Sequence, residues 1–108
     1  MKHPRPSIYI YTYLEDNIIL KEIIAGIEEE GVLFDRESVN NNISSEDLAS
    51  QAAKKSILGI GIGIKKQEIK VSINEQVKYG LVDFKTDKPR VIGQNVARYI
   101  KQRPFLFY

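Results

Sequence analysis

The sequence predicts a three-layer α/β domain built around a mixed, mainly parallel sheet. Two observations carry that expectation. Apart from Ser7, residues 7–13 are β-branched or aromatic, with Ile8, Ile10 and Thr12 on one face and Tyr9, Tyr11 and Tyr13 on the other. That is the pattern of a strand buried on both sides, as in the middle of an α/β sheet. Beyond it the strand and helix signals alternate in the order β-α-β-α-β-β-β-α, which calls for helices covering a sheet. The length of 108 residues suits one compact domain, read as residues 1–108.

The later elements follow in order. Asp16 or Asn17 can cap a helix in which Ile19, Ile23 and Ile27 lie beside Leu20 and Ile24, and Gly31 follows where a helix C-cap favours glycine. Val32 to Phe34 read as a short second strand. Ser44, with Asp47 three residues on, forms a capping box ahead of a helix over Ser45 to Ser56. Ile57 to Ile64 and Glu68 to Ile73 read as the third and fourth strands. They are joined too tightly for a parallel crossover, so this pair is expected to be antiparallel. Gly80 to Phe84 make a fifth. Pro89 suits the first turn of a final helix with Ile92, Val96, Tyr99 and Ile100 on one face, and Pro104 is expected to end it.

Inventory removes many kinds of chemistry. There is no cysteine, so disulfides, thiolate nucleophiles and Cys-ligated metals are excluded. The single histidine, His3, stands beside Pro4 at an end expected to fray, which excludes a His-based triad or a multi-His metal site. With no 18-residue apolar run and no charged-then-apolar leader, the chain reads as cytoplasmic, with no membrane contact. The net charge of +2 does not point to nucleic acid. Charge is nevertheless polarised: residues 15–47 carry ten acids against Lys21 and Arg36, and residues 85–103 carry six bases against Asp87. Such segments either form complementary docking patches or neutralise each other inside the fold.

Two segments look like sites. Leu58-Gly-Ile-Gly-Ile-Gly-Ile64 contains three glycines, but they alternate with isoleucine and lead into another strand instead of a helix. A phosphate-binding turn needs the opposite arrangement. Period two places Gly59, Gly61 and Gly63 on one strand face, a flat surface that another backbone can approach closely. The second segment is Gly26-Ile-Glu-Glu-Glu-Gly31. Acids at a helix C-terminus oppose the helix dipole by about 0.3–1 kcal/mol each. Glu28, Glu29 and Glu30 are therefore either solvated surface charges or a corner that meets a cation, with one carboxylate completing a hard-cation site supplied mainly by another chain.

At these residues the chain resembles the small subunit of diol/glycerol dehydratase reactivases. Gly26-Ile-Glu-Glu-Glu-Gly-Val-Leu-Phe34 and Gly93-Gln-Asn-Val-Ala-Arg98, with Pro104-Phe105 beyond it, are similar to two segments of that family. The family also includes the longer medium subunit of the cobalamin-dependent dehydratases. Leu33 stands where the family often has proline, and Gln94-Asn95-Val96 where it has Asn-Asn-Ala.

The resemblance implies a five-stranded mixed sheet with the fourth strand antiparallel. It also implies a non-catalytic, chaperone-like subunit that pairs with an ATP-hydrolysing large subunit. That complex docks on the large subunit of a diol or glycerol dehydratase and, by subunit exchange, lets damaged cobalamin escape. No cofactor of its own is implied, only a divalent cation, Mg or Ca, shared with the large subunit through Glu29. Glu28, Glu29, Glu30, Asn95 and Arg98 are the expected interface, although Asn95 bonding backbone and Arg98 pairing an acid would be structural roles. Self-association of the isolated chain and location in a bacterial microcompartment belong to the same expectation. The alternatives are a medium-subunit-like component of the dehydratase itself, or a small-ligand or nucleic-acid binder using the basic last helix and Tyr99. The tail Phe105-Leu106-Phe107-Tyr108 is expected to fold back onto the core.

Overall fold

Each of the first two helices starts where a short polar side chain takes up its first free amides. In the computed structural model, which describes residues 5–74, 79–81, 88–104 and 106, the Asp16 carboxylate accepts from the amides of Ile18 and Ile19 at 2.9 and 3.1 Å. It thereby opens α1 (Asn17–Glu29). Ser44 does the same for α2 (Ser45–Lys55), accepting from the Asp47 amide at 3.1 Å. The third helix, α3 (Pro89–Ile100), has no side-chain cap and instead places Pro89 in its first turn, where the missing N–H costs nothing.

The strands are β1 (Ile8–Tyr13), β2 (Phe34–Ser38), β3 (Ile60–Lys65), β4 (Glu68–Asn74) and β5 (Tyr79–Leu81). Their spatial order is β2-β1-β3-β4-β5. β1 lies parallel to β2 and β3, whereas β4 is antiparallel to β3 and to β5. Four strands of five to seven residues make the body of this mixed sheet. The fifth is described over Tyr79–Leu81 at the sheet edge, where it pairs with Ser72, Ile73 and Asn74. The stretch from Val82 to Phe84 lies outside the described residues, as do His3, Phe105, Phe107 and Tyr108.

The two sheet faces are covered differently. Ile8, Ile10, Ile60, Ile62, Ile64, Val71 and Ile73 pack with Leu20, Ile23 and Ile27 of α1 and Ile92, Val96 and Ala97 of α3. On the other face Tyr11 packs against Leu48 and Ala52 of α2. The alternation of isoleucine and tyrosine along β1 thus separates the two layers.

Glycine decides how near the helices come. A Cβ on Gly61 would overlap the Ala53 amide nitrogen and the Ala49 carbonyl oxygen, and one on Gly63 would lie 2.9 Å from the Leu48 Cβ. The glycines of β3 are therefore used within the chain, for the close approach of α2. Gly59 departs from the expectation. Its φ of 73° puts it in the left-handed region before the strand, in a turn where the Ser56 hydroxyl accepts from the Leu58 amide at 3.1 Å. It is not on the glycine face.

Two other boundaries also shift. The second strand runs over Phe34–Ser38 instead of Val32 to Phe34, because the parallel register with β1 begins at Ile8↔Phe34. As an edge strand it exposes Arg36, Glu37 and Ser38, so its polar sequence hides it from a search for apolar periodicity. The last helix ends at Ile100, ahead of Pro104, and Gln102 turns left-handed with φ 57°. No helix among the described residues is long and apolar enough to cross a membrane.

A polar link ties the end of β1 to the sheet edge. The buried Thr12 hydroxyl donates to Glu15 Oε1 at 2.7 Å, and that hydrogen bond is the main reason the Glu15 carboxyl is held below its ordinary value of 4.5. A lowered folded-state pKa contributes stability that is present above pH 4.5 and is lost as pH falls through the lowered value. Thr12→Val is therefore expected to reduce stability at neutral pH and to flatten the acid limb of a pH–Tm profile. An unchanged acid limb would contradict the assignment.

Candidate functional site

The C-terminal end of α1 is placed by its crossing with α3. Two glycines set that crossing: a Cβ on Gly26 would overlap the Arg90 carbonyl oxygen and lie 2.8 Å from the Gln94 amide, and one on Gly93 would overlap the Ile23 carbonyl oxygen. The backbones consequently touch, and the side chains beyond the contact on each helix meet. Gly31, with φ 72°, ends the helix just after the glutamate run.

The three glutamates then part company. Glu28 is exposed, and its carboxylate pairs with no side chain among the described residues. Glu29 is exposed too, but both its oxygens are taken: Arg90 Nη1 donates to Oε1 at 3.1 Å and Gln94 Nε2 to Oε2 at 2.6 Å. Arg90 also donates through Nη2 to Glu22 Oε2 at 2.8 Å, and these carboxylates raise its pKa above the ordinary arginine value, Glu22 chiefly. Glu30 is buried, 7% exposed, with Arg98 Nε at 3.0 Å and Arg103 Nη1 at 3.4 Å.

Of the two readings of the charged segments, internal neutralisation applies at Glu29 and Glu30. The acidic and basic segments of the sequence meet across the α1–α3 contact and neutralise each other there. Because Arg90, Arg98 and Arg103 are paired with α1 carboxylates, the last helix is also less basic at its surface than its sequence suggests.

Asn95 and Arg98 have the structural roles weighed for them. Asn95 is fully buried; its Nδ2 donates to the Leu106 carbonyl at 2.9 Å, and its Oδ1 accepts from the Leu106 amide at 2.7 Å. Arg98 Nη1 donates to the Pro104 carbonyl at 3.1 Å. Asn95 is therefore no surface contact of the folded chain: together with Arg98 it straps the segment after α3 to the helix. Of the residues expected at an interface, Glu28 and Glu29 are the exposed ones. Arg90 and Arg103 were missed by sequence reasoning, although Arg90, Gln94 and Arg98 recur every four residues along one helical face, which was a usable signal.

No group of three or more His, Cys, Asp or Glu side chains capable of holding a metal occurs among the described residues. Glu29 offers one exposed carboxylate, a hard oxygen donor that suits a divalent cation as a single ligand of a set completed elsewhere.

Comparison with known proteins places the chain in a family. The chain is similar in structure to a chain of a diol dehydratase-reactivating factor complexed with ADP and Mg2+, with TM-score 0.77 and 26% identity over 95% of this chain and 99% of that one. It shares its fold with a glycerol dehydratase reactivase chain, with TM-score 0.73 and 20% identity over 95% and 98%. No curated protein sequence matches the chain. The profile of the dehydratase medium subunit family matches residues 5–106, which include both glycine-led motifs and all three helices. The chain belongs to the dehydratase medium subunit family.

Proposed function

We propose that this chain is the small, non-catalytic subunit of a dehydratase-reactivating factor. It pairs with a large ATP-hydrolysing subunit, and the pair promotes release of damaged cobalamin from a diol or glycerol dehydratase by subunit exchange. The observation that carries this reading is the end-to-end match, at 26% identity, to a reactivating-factor chain of nearly equal extent. At the α1–α3 corner the polar side chains pair with each other.

In this reading Glu29 contributes a carboxylate to a divalent cation, Mg or Ca, held mainly by the large subunit, and Glu28 lies beside it in the contact. The cation would supply positive charge where the α1 terminus and its glutamates concentrate negative charge. Glu30, Arg98 and Asn95 support the contact from beneath by fixing the end of α1 and the segment after α3. Location in the cytoplasm, with attachment to a microcompartment, belongs to the same proposal.

The test is direct. Mixed with a reactivase large subunit and Mg2+, the chain should elute as a stoichiometric complex, and that complex should restore turnover to a dehydratase inactivated by damaged cobalamin. No complex and no recovery would contradict the proposal. The family description favours a second reading, a medium-subunit-like component of the dehydratase itself. Stable incorporation into the dehydratase, with no affinity for the reactivase large subunit, would select it.

A further inference from the structure

The Arg90 guanidinium is a fork split between two carboxylates, Glu22 at 2.8 Å and Glu29 at 3.1 Å, while Gln94 holds the other Glu29 oxygen at 2.6 Å. We propose that Arg90 is a built-in competitor at the docking corner: it occupies Glu29 in the free subunit and is displaced onto Glu22 when the partner's divalent cation arrives, while Gln94 stays to orient the Glu29 carboxylate. This inference rests on the reading of Glu29 given above.

The chemistry of the two donors separates their roles. A cation on Glu29 Oε1 would sit beside a guanidinium only 3.1 Å from the same oxygen, and two positive centres at that range repel strongly. Arg90 has to leave for the cation to bind. It need not lose all charge pairing, because its second nitrogen already holds Glu22. Gln94 is neutral and donates to Oε2, so it can remain, polarising and aiming the carboxylate. Glu22 thereby becomes the landing site that makes the exchange inexpensive. The array lies at the surface, with Arg90, Glu22 and Glu29 side chains 46%, 39% and 44% exposed, open to an approaching protein.

The experiment measures affinity for a reactivase large subunit against Mg2+ concentration, using the full chain and its variants, with thermal melts of each free variant to confirm folding. Arg90→Gln removes the competitor and should tighten the complex about two- to fivefold and lower the Mg2+ concentration needed, the range expected of an exposed ion pair. Glu22→Gln removes the landing site and should weaken it by a similar factor. Gln94→Ala should weaken it as well.

If Arg90→Gln leaves affinity unchanged or lowers it while Glu29→Gln weakens the complex, Arg90 is not a competitor and this inference falls, with the functional reading intact. If Glu29→Gln has no effect, the role of Glu29 falls and the exchange falls with it. Opposite signs for Arg90→Gln and Glu22→Gln support the exchange, because a merely structural salt bridge would move both the same way.

Discussion

Gly61→Val is expected to cost the domain at least about 3 kcal/mol, the upper end of what overpacking a core does. Even one added carbon at this position would overlap the Ala53 amide nitrogen and the Ala49 carbonyl oxygen. Both belong to the backbone of α2, so no rotamer change can relieve the clash and the whole helix must move off the sheet. The neighbouring residue supplies the control. Ile62 is fully buried on the opposite face among Ile8, Ile10 and Val71, and Ile62→Val should cost only about 0.5–1.5 kcal/mol. Urea unfolding of the two variants separates the explanations. Similar losses would mean that the glycine face is not set by α2. A loss at Gly61 several times that at Ile62 is the expected result, against a total stability of about 5–15 kcal/mol for such domains.

Arg98→Ala should destabilise the isolated chain by about 2 kcal/mol. Breaking a buried ion pair costs about 3–5 kcal/mol when the surviving charge has no other partner. Here Arg103 remains at 3.4 Å from Glu30, and Arg98 is itself 23% exposed, so the loss falls below that range. The same substitution also releases the Pro104 carbonyl. In a double-mutant cycle, adding Glu30→Gln to Arg98→Ala should recover part of the loss, because the stranded carboxylate is then neutral. Thermal denaturation of the free subunit decides between a structural and a docking role. A normal melt with a weakened complex would return Arg98 and Glu30 to the interface proper, whereas a lowered melt assigns them to the end of α1.

What could be read in the sequence was what local chemistry controls. Asp16, Ser44 and Pro89 opened helices where short polar side chains or proline predict helix starts, and the β1 alternation of isoleucine and tyrosine matched the two differently covered faces. The tight connection between the third and fourth strands correctly implied an antiparallel pair. Tertiary contact decided the rest. The polar edge strand β2 takes its place from its pairing with β1, not from apolar periodicity. Gly59 looked like its neighbours two and four residues on, but a positive φ takes it out of the strand.

The site was legible in outline. The glutamate run and the second glycine-led motif stood out, yet nothing local shows that Gly26 and Gly93 bring two helices into backbone contact. That contact supplies Glu29 and Glu30 with counter-charges from residues more than sixty positions away. A polarised sequence with two readings, outward patches or internal neutralisation, therefore resolves toward the second at this corner.

The central claim is that Glu29 carries the contact with the large subunit through a shared divalent cation. Its most direct test is a titration of the reactivase large subunit with the wild-type chain and with Glu29→Gln, each with and without Mg2+. The expected result is a complex at least about tenfold weaker for Glu29→Gln, with its Mg2+ dependence abolished, from free subunits that melt alike. Equal affinity and equal Mg2+ dependence for the two proteins would contradict the account.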